Sequence, residues 1–444
     1  MDERVSARGV VHDGELAIDA AGSPRLRESH RVLSLHANAV VLLTHILASA
    51  GFGYLSWLVA ARLLDTEAVG VSAAAVSAAL LCSQLAVLGL STSIVTFLPS
   101  HLKDPAPLLN SFVTIVLIAG SLCGGAFLAI AIAFLHRLRL LGSEYSLAVS
   151  FLGLVIVMTL LLLLDGLSVA IRRTDLALTR GVSAGVAKLA VLIIAWAGAF
   201  LSAGTVVFAW FVSTLGVCLL GFRQLHGILP GYRYRPRIDS LTARVALRNG
   251  LPNHVLNLLR FSPIWVIPLI VTETLSPSEN AYWYGAWMIA FLVRFIPQAA
   301  AQAAFAEVTN GAASLASAIR RSVPSTLGFA VMPALVLIAL AHPILSVLGH
   351  GYAEAGTTPL RLLVLGVLTE IAIEFYVMTR RVTTRLVEPI IVFLLSGIAA
   401  IAAAIIGAHV AGLVGVAVGW LVVDVAAGGW AALRVVQATR SAEK

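Results

Sequence analysis

Long apolar stretches alternate with short polar gaps along almost the whole chain. An α-helix needs about 20 residues to cross a hydrocarbon core of about 30 Å, and each stretch is long enough. The pattern predicts an all-α, polytopic membrane protein with twelve transmembrane helices. The stretches cover residues 38–60, 70–97, 111–135, 147–171, 182–201, 204–222, 246–271, 280–305, 322–347, 360–379, 390–408 and 411–433.

Positive charge is distributed unevenly among the gaps. If the amino terminus is cytoplasmic, the tail and every second gap hold 22 of the 30 Lys and Arg residues. The opposite gaps hold only Arg62, Arg137 and Arg139. This bias follows the positive-inside rule and predicts that both termini lie in the cytoplasm.

Composition excludes a soluble globular protein and indicates no cofactor. The chain is 59% hydrophobic and 12% charged, whereas soluble domains carry about 25% charged residues. The net charge of +8 falls mainly in short loops, which favours topology and lipid contact over nucleic-acid binding. Cys82, Cys123 and Cys218 lie inside predicted helices without metal-ligand spacing. We expect no metal site, no cofactor and no nucleic-acid partner.

An internal repeat divides the chain into two halves. A shift of 208 residues aligns Arg172 and Arg173 with Arg380 and Arg381. An even number of helices in each half makes the repeats parallel, and a central substrate cavity is expected between the lobes. The predicted units are a cytoplasmic tail over 1–37, a six-helix lobe over 38–222, a linker over 223–245, a second six-helix lobe over 246–433 and a cytoplasmic tail over 434–444.

The seventh stretch combines prolines with a polar face. Its three prolines are expected to bend or break the helix, because proline lacks an amide hydrogen and clashes with the preceding turn. Asparagines recur every four residues and Arg260 follows three residues later, so these side chains share one face. The prolines are Pro252, Pro263 and Pro268, and the asparagines are Asn249, Asn253 and Asn257.

Two deep arginines indicate an anion site. Arg260 lies near the predicted bilayer centre, and Arg294 lies well inside the eighth stretch. Two guanidinium groups suit a multivalent anion such as a diphosphate, with Asn253 and Asn257 as further substrate contacts. The alternatives are that the polar face only joins helices and that Arg294 pairs with Glu307 or another carboxylate.

Lys188 and Asp165 lie at matching predicted depths in neighbouring helices. A structural salt bridge between them is the favoured interpretation. In the alternative, Lys188 contacts a substrate phosphate and Asp165 takes part in ion coupling.

Three further carboxylates lie inside predicted spans. Glu370 and Glu374 are four residues apart on one helix face, and Asp424 lies in the last span. Buried carboxylates can bind a proton or cation during transport. They can equally neutralise Arg260 and Arg294, and the sequence leaves both interpretations open.

Three segments resemble bacterial polysaccharide flippases. Residues 61–99 have an acidic turn followed by Gly, and a Gly-Leu-Ser-Thr segment that ends near Phe-Leu-Pro. Residues 172–192 resemble the loop and fifth span of those flippases, including a basic residue near Lys188, and residues 249–252 resemble the start of their second lobe. The resemblance is to the multidrug/oligosaccharidyl-lipid/polysaccharide exporter (MOP) superfamily.

This resemblance implies a transporter of the bacterial inner membrane. It would flip a polyprenyl-diphosphate-linked oligosaccharide to the outer leaflet by alternating access, for surface polysaccharide synthesis. The alternatives are a cation-coupled multidrug exporter and a membrane glycosyl polymerase or ligase. The outer gaps are too short for the catalytic loop of such an enzyme, so no enzymatic activity is expected. Expected partners are membrane lipids and envelope glycosyltransferases or a polymerase, and the chain is expected to be a monomer.

Overall fold

The computed structural model describes residues 35–101, 104–229 and 232–441. The predicted amino-terminal tail lies almost entirely outside these residues. The described chain is helical, with a short 3₁₀ turn at Leu98–His101. Its helices are α1 (Leu35–Leu63), α2 (Thr66–Ala86), α3 (Leu90–Phe97), α4 (Ala106–Phe134), α5 (Leu140–Ser143), α6 (Tyr145–Ala170), α7 (Thr174–Ala197), α8 (Ala203–Ile228), α9 (Ser240–Thr274), α10 (Pro277–Thr309), α11 (Leu315–Ala339), α12 (Ala341–Ser346), α13 (His350–Leu365), α14 (Val367–Val382) and α15 (Val387–Ser441).

The prediction of twelve spans is confirmed. The described residues contain eleven apolar segments long enough to cross a membrane, and the last covers 54 residues. The backbone leaves the helical conformation inside it, at Ala411 and Gly412. A Cβ on Gly407 would lie 2.2 Å from the carbonyl oxygen of Gly415. The two arms of α15 therefore pack against each other as an antiparallel hairpin of two spans.

Of the bend or break predicted for the seventh span, the break does not occur. α9 is helical throughout, although it contains Pro252, Pro263 and Pro268. The hydroxyl of Ser262 donates a 3.2 Å hydrogen bond to the carbonyl of Leu259, which is the carbonyl that Pro263 cannot bond. Side-chain hydroxyls often satisfy freed carbonyls in membrane helices.

Breaks occur instead in the second and tenth spans. Leu88 and Gly89 have φ of 50° and 78° between α2 and α3. Gly366 separates α13 from α14.

Aspartate and serine side chains cap three helices at the end of the molecule where the connections hold few Lys and Arg residues. Each side chain accepts a hydrogen bond from a first-turn amide. These caps are Asp65 for α2, Ser202 for α8 and Ser276 for α10.

Equivalent helices pack in the same way in the two halves, which we define as α1–α8 and α9–α15. The first span packs on the fifth as α1 on α7, and the seventh packs on the eleventh as α9 on α15. Left-handed residues follow α6 and α14 at Arg172 and Thr384. These residues are 212 positions apart, so the structural repeat is about one helical turn longer than the sequence shift of 208.

The two halves contact each other at both ends. At the end with the predicted cytoplasmic loops, here called the inner end, the hydroxyl of Ser93 donates a 2.7 Å hydrogen bond to the Ala246 carbonyl. A Cβ on Gly250 would lie 2.1 Å from the Ser93 hydroxyl, so this approach requires glycine. At the outer end, the Asn280 amide donates to the Gly70 carbonyl at 2.9 Å. The halves are therefore joined at both ends in this conformation.

Cysteine labelling can test the predicted orientation. Arg139 lies in the connection after α4 and Arg233 in the connection after α8, and both are exposed. In a variant without the native cysteines, a membrane-impermeant maleimide should label Arg139→Cys but not Arg233→Cys in intact cells. Permeabilised cells should show labelling of both. The reverse pattern in intact cells would overturn the cytoplasmic assignment of the linker.

Candidate functional site

Five charged side chains from four helices meet inside the second half. Arg260 of α9 contacts both Glu370 and Glu374 of α14, with its Nη2 2.6 Å from a Glu374 oxygen. Arg294 of α10 lies 2.6 Å from Glu370 and 2.6 Å from Asp424 of α15. We call these five residues the charge network. Glu370 is its central member, because it contacts both arginines.

The charge network is buried and has unequal charge. Its side chains are between 6% and 14% exposed. Three carboxylates face two guanidinium groups, so full ionisation leaves one negative charge in excess. The indole of Trp420 donates a 3.1 Å hydrogen bond to Asp424. The adjoining cavity of about 60 Å³ has room for a few water molecules and none for an oligosaccharide.

The network agrees with one of the two sequence interpretations. The four-residue spacing of Glu370 and Glu374 brings both carboxylates to Arg260. Arg294 does not pair with Glu307, whose partner is the exposed Arg321. The arginines are therefore neutralised by carboxylates in this conformation. Their role as an anion site stays a prediction.

The asparagine face of α9 leads from the network towards the inner end. Asn257 accepts a 2.7 Å hydrogen bond from Arg381 of α14. Asn253 is half-buried on the same face, and Asn249 is exposed. Asn257 thus joins two helices in this conformation, and a substrate contact by Asn253 or Asn257 stays a prediction.

The predicted salt bridge between Asp165 and Lys188 is wrong. Asp165 pairs with Arg180 at 2.7 Å. The reason is depth: α7 begins at Thr174, eight residues before the predicted start of the span. Arg180 lies about 9 Å from the inner end of α7 at 1.5 Å per residue, close to the depth of Asp165, whereas Lys188 lies about 21 Å from that end.

Lys188 has an aromatic partner in place of a carboxylate. It is 7% exposed, and its ammonium nitrogen lies 3.2 Å from the centre of the Trp210 ring. Such cation–π contacts offset part of the cost of burying an ammonium group. Among the described residues, no carboxylate forms an ion pair with Lys188. Its amino group is therefore held against an aromatic ring without a carboxylate partner.

Two more aromatic residues extend this environment across the boundary between the halves. The ring of Trp57 in α1 lies 6.2 Å from that of Trp210 and 4.9 Å from that of Tyr284 in α10. None of the three aromatic residues was predicted from the sequence, because aromatic residues in apolar helices have no distinguishing spacing. Arg180 was missed because the predicted fifth span began two residues after it.

Comparisons with solved structures identify similar folds. A comparison with family models finds no match, and no curated protein matches significantly. The lipid II flippase MurJ in an inward closed conformation is 13% identical, with a TM-score of 0.72 over 91% of this chain and 90% of MurJ. An inward-facing multidrug resistance MATE family transporter of the MOP superfamily is 14% identical, with a TM-score of 0.66 over 91% of this chain and 99% of that chain.

A third similar structure has a binding pocket described as having reverse polarity. It is a MOP superfamily transporter from Pyrococcus furiosus, 14% identical, with a TM-score of 0.61 over 91% of this chain and 95% of that chain. Sequence identities this low establish the architecture alone. The chain has the twelve-helix fold of MOP superfamily transporters.

Proposed function

We propose that this protein flips an anionic, polyprenyl-diphosphate-linked oligosaccharide from the inner to the outer leaflet of the bacterial inner membrane. Transport would proceed by alternating access, with the inner and outer contacts between the halves opening in turn. Lys188 is the residue that we assign to the diphosphate. The sequence resemblance and the fold both support a transporter, and the charge arrangement supports an anionic substrate.

The pairing of deep charges is the observation on which this proposal rests. Among the described residues, the deep carboxylates Asp165, Glu370, Glu374 and Asp424 all contact arginines. Lys188 is buried about 14 Å inside the outer end of α7, at 1.5 Å per residue, without an acidic partner. A site for cationic drugs needs an available carboxylate, whereas an unneutralised lysine attracts a phosphate group. The unpaired lysine therefore supports an anionic cargo over a cationic one.

We assign the charge network to energy coupling. Binding of one proton would neutralise the excess negative charge among its three carboxylates, and the adjoining cavity could supply that proton through water. Asp165 is a weaker candidate, because Arg180 compensates its charge one to one. Arg260 would act on the substrate only in a conformation where it releases Glu370 or Glu374, and Arg294 only where it releases Glu370 or Asp424.

Reconstituted protein can distinguish the proposed function from drug export. Proteoliposomes should flip a polyprenyl-diphosphate-linked disaccharide, measured as the fraction that an external lectin can reach. The same vesicles should not transport ethidium, a cationic dye. Transport of ethidium without flipping of the saccharide lipid would identify a drug exporter and contradict the proposal.

Glu374→Gln tests the coupling role. This variant leaves two carboxylates for two arginines, and Gln can still accept a hydrogen bond from Arg260. In wild type, one proton exchanged per substrate should change the leaflet ratio up to about tenfold per pH unit of gradient. Glu374→Gln should abolish this change and retain exchange without a gradient. Glu307→Gln, at an exposed carboxylate, is the matched control, and a persistent gradient effect in Glu374→Gln would exclude the network.

A further inference from the structure

We infer that Trp57, Trp210 and Tyr284 form a saccharide-stacking surface beside Lys188, which holds the first sugar of the cargo. This inference rests on the proposed function and adds a subsite to it. The surface combines a buried ammonium group with three aromatic rings from both halves.

The four side chains lie at one level of the molecule. Counted at 1.5 Å per residue, they lie about 9 to 14 Å inside the outer ends of α1, α7, α8 and α10. Lys188 and Trp210 come from the middle of the first half, and Trp57 follows them towards its boundary with the second half. From the first half towards the second, the spatial order of the groups is therefore ammonium, indole, indole and phenol.

This order matches the chemistry of a sugar diphosphate. The phosphate groups need a cation, and the sugar that follows them presents C–H groups on one ring face and hydroxyls at its edge. Indole rings pack well against such C–H faces, while a tyrosine hydroxyl offers a polar partner at the rim. A sugar stacked on Trp57 would place the adjacent phosphate towards Lys188.

The surface is covered in the conformation described here. Trp57 is 4% exposed, and its contact with Tyr284 joins α1 of the first half to α10 of the second. Separation of the halves at this level would break that contact and expose the Trp57 ring beside Lys188. The sugar of the cargo would then cover the Trp57 ring in place of Tyr284, so little apolar surface would be left uncovered.

Binding measurements on the purified full chain test this surface with two probes. The probes are farnesyl diphosphate and farnesyl-diphosphate-linked N-acetylglucosamine, with glucose and galactose versions as further sugars. Wild type should bind at least one sugar-bearing probe about tenfold more tightly than the bare diphosphate, as expected for one stacking contact. Trp57→Leu and Tyr284→Leu should remove this difference and leave the affinity for farnesyl diphosphate unchanged.

The controls separate the surface from the proposed function. Trp196→Leu changes an exposed tryptophan of α7 and should retain the difference between the probes. Trp57→Phe keeps a ring and should retain part of it, which also guards against misfolding of Trp57→Leu. A sugar preference that survives in Trp57→Leu and Tyr284→Leu would overturn the surface while leaving the function intact. Failure of Lys188→Met to weaken binding of either probe would instead count against the proposed anion contact.

Discussion

Replacement of Arg294 with Met should destabilise the protein by about 3–5 kcal/mol, the usual cost of breaking a buried ion pair. Arg294 holds Glu370 and Asp424, and its loss leaves three buried carboxylates for Arg260 alone. We expect a lower thermal unfolding temperature in detergent and less protein in the membrane. An effect on transport would then follow from lost protein, so it would not by itself identify a substrate contact.

A second replacement should restore the balance. Arg294→Met combined with Asp424→Leu leaves Arg260 with Glu370 and Glu374, which is again one negative charge in excess. The double variant should regain most of the lost thermal stability, because removal of both partners leaves fewer uncompensated charges. Equal unfolding temperatures for Arg294→Met and the double variant would show that Arg294 and Asp424 are not coupled, and would contradict the network.

Replacement of Lys188 with Met should reduce transport without destabilising the protein, unlike replacement of Arg294. Met is similar in length and apolar, so it relieves the cost of burying an unpaired charge, and the thermal stability should stay equal or rise. Flipping of the saccharide lipid should fall at least tenfold, since hydrogen bonds to charged groups contribute about 1.5–3 kcal/mol. Protein level, unfolding temperature and flipping rate can be measured on the same preparation.

Arg180→Met is the matched control for this lysine. It removes a positive charge from the same helix, yet Arg180 is paired with Asp165. Arg180→Met should therefore lower the stability, whereas Lys188→Met should not. If Lys188→Met unfolds at a lower temperature than Arg180→Met, Lys188 is a structural residue and its assignment to the substrate is wrong.

The sequence predicts the spans well because hydrophobic length is a local property. It also separates the last two spans at residues 409 and 410, directly before the turn at Ala411 and Gly412. The breaks inside spans follow different rules. The prolines of α9 do not break it, and at Pro263 the Ser262 hydroxyl satisfies the freed carbonyl of Leu259. Leu88 and Gly89, in contrast, interrupt the second span without a proline.

The candidate site could be predicted only in part. Residues that share a helix face, such as Glu370 and Glu374, follow from spacing. Their partners depend on how helices pack, and an error of eight residues at the start of α7 was sufficient to assign Asp165 to Lys188 in place of Arg180. The aromatic surface could not be predicted, because it depends on how the two halves pack, and this packing brings Trp57 to Tyr284.

The flipping rate of a charged cargo and an uncharged one tests the central claim most directly. The two cargoes are a polyprenyl-diphosphate-linked disaccharide and the same disaccharide joined to the polyprenol without phosphate, in proteoliposomes containing wild type, Lys188→Arg or Lys188→Met. We predict that wild type and Lys188→Arg prefer the diphosphate and that Lys188→Met loses this preference while remaining folded. Equal preference in wild type and Lys188→Met would contradict the assignment of this protein as a flippase that holds its anionic cargo at Lys188.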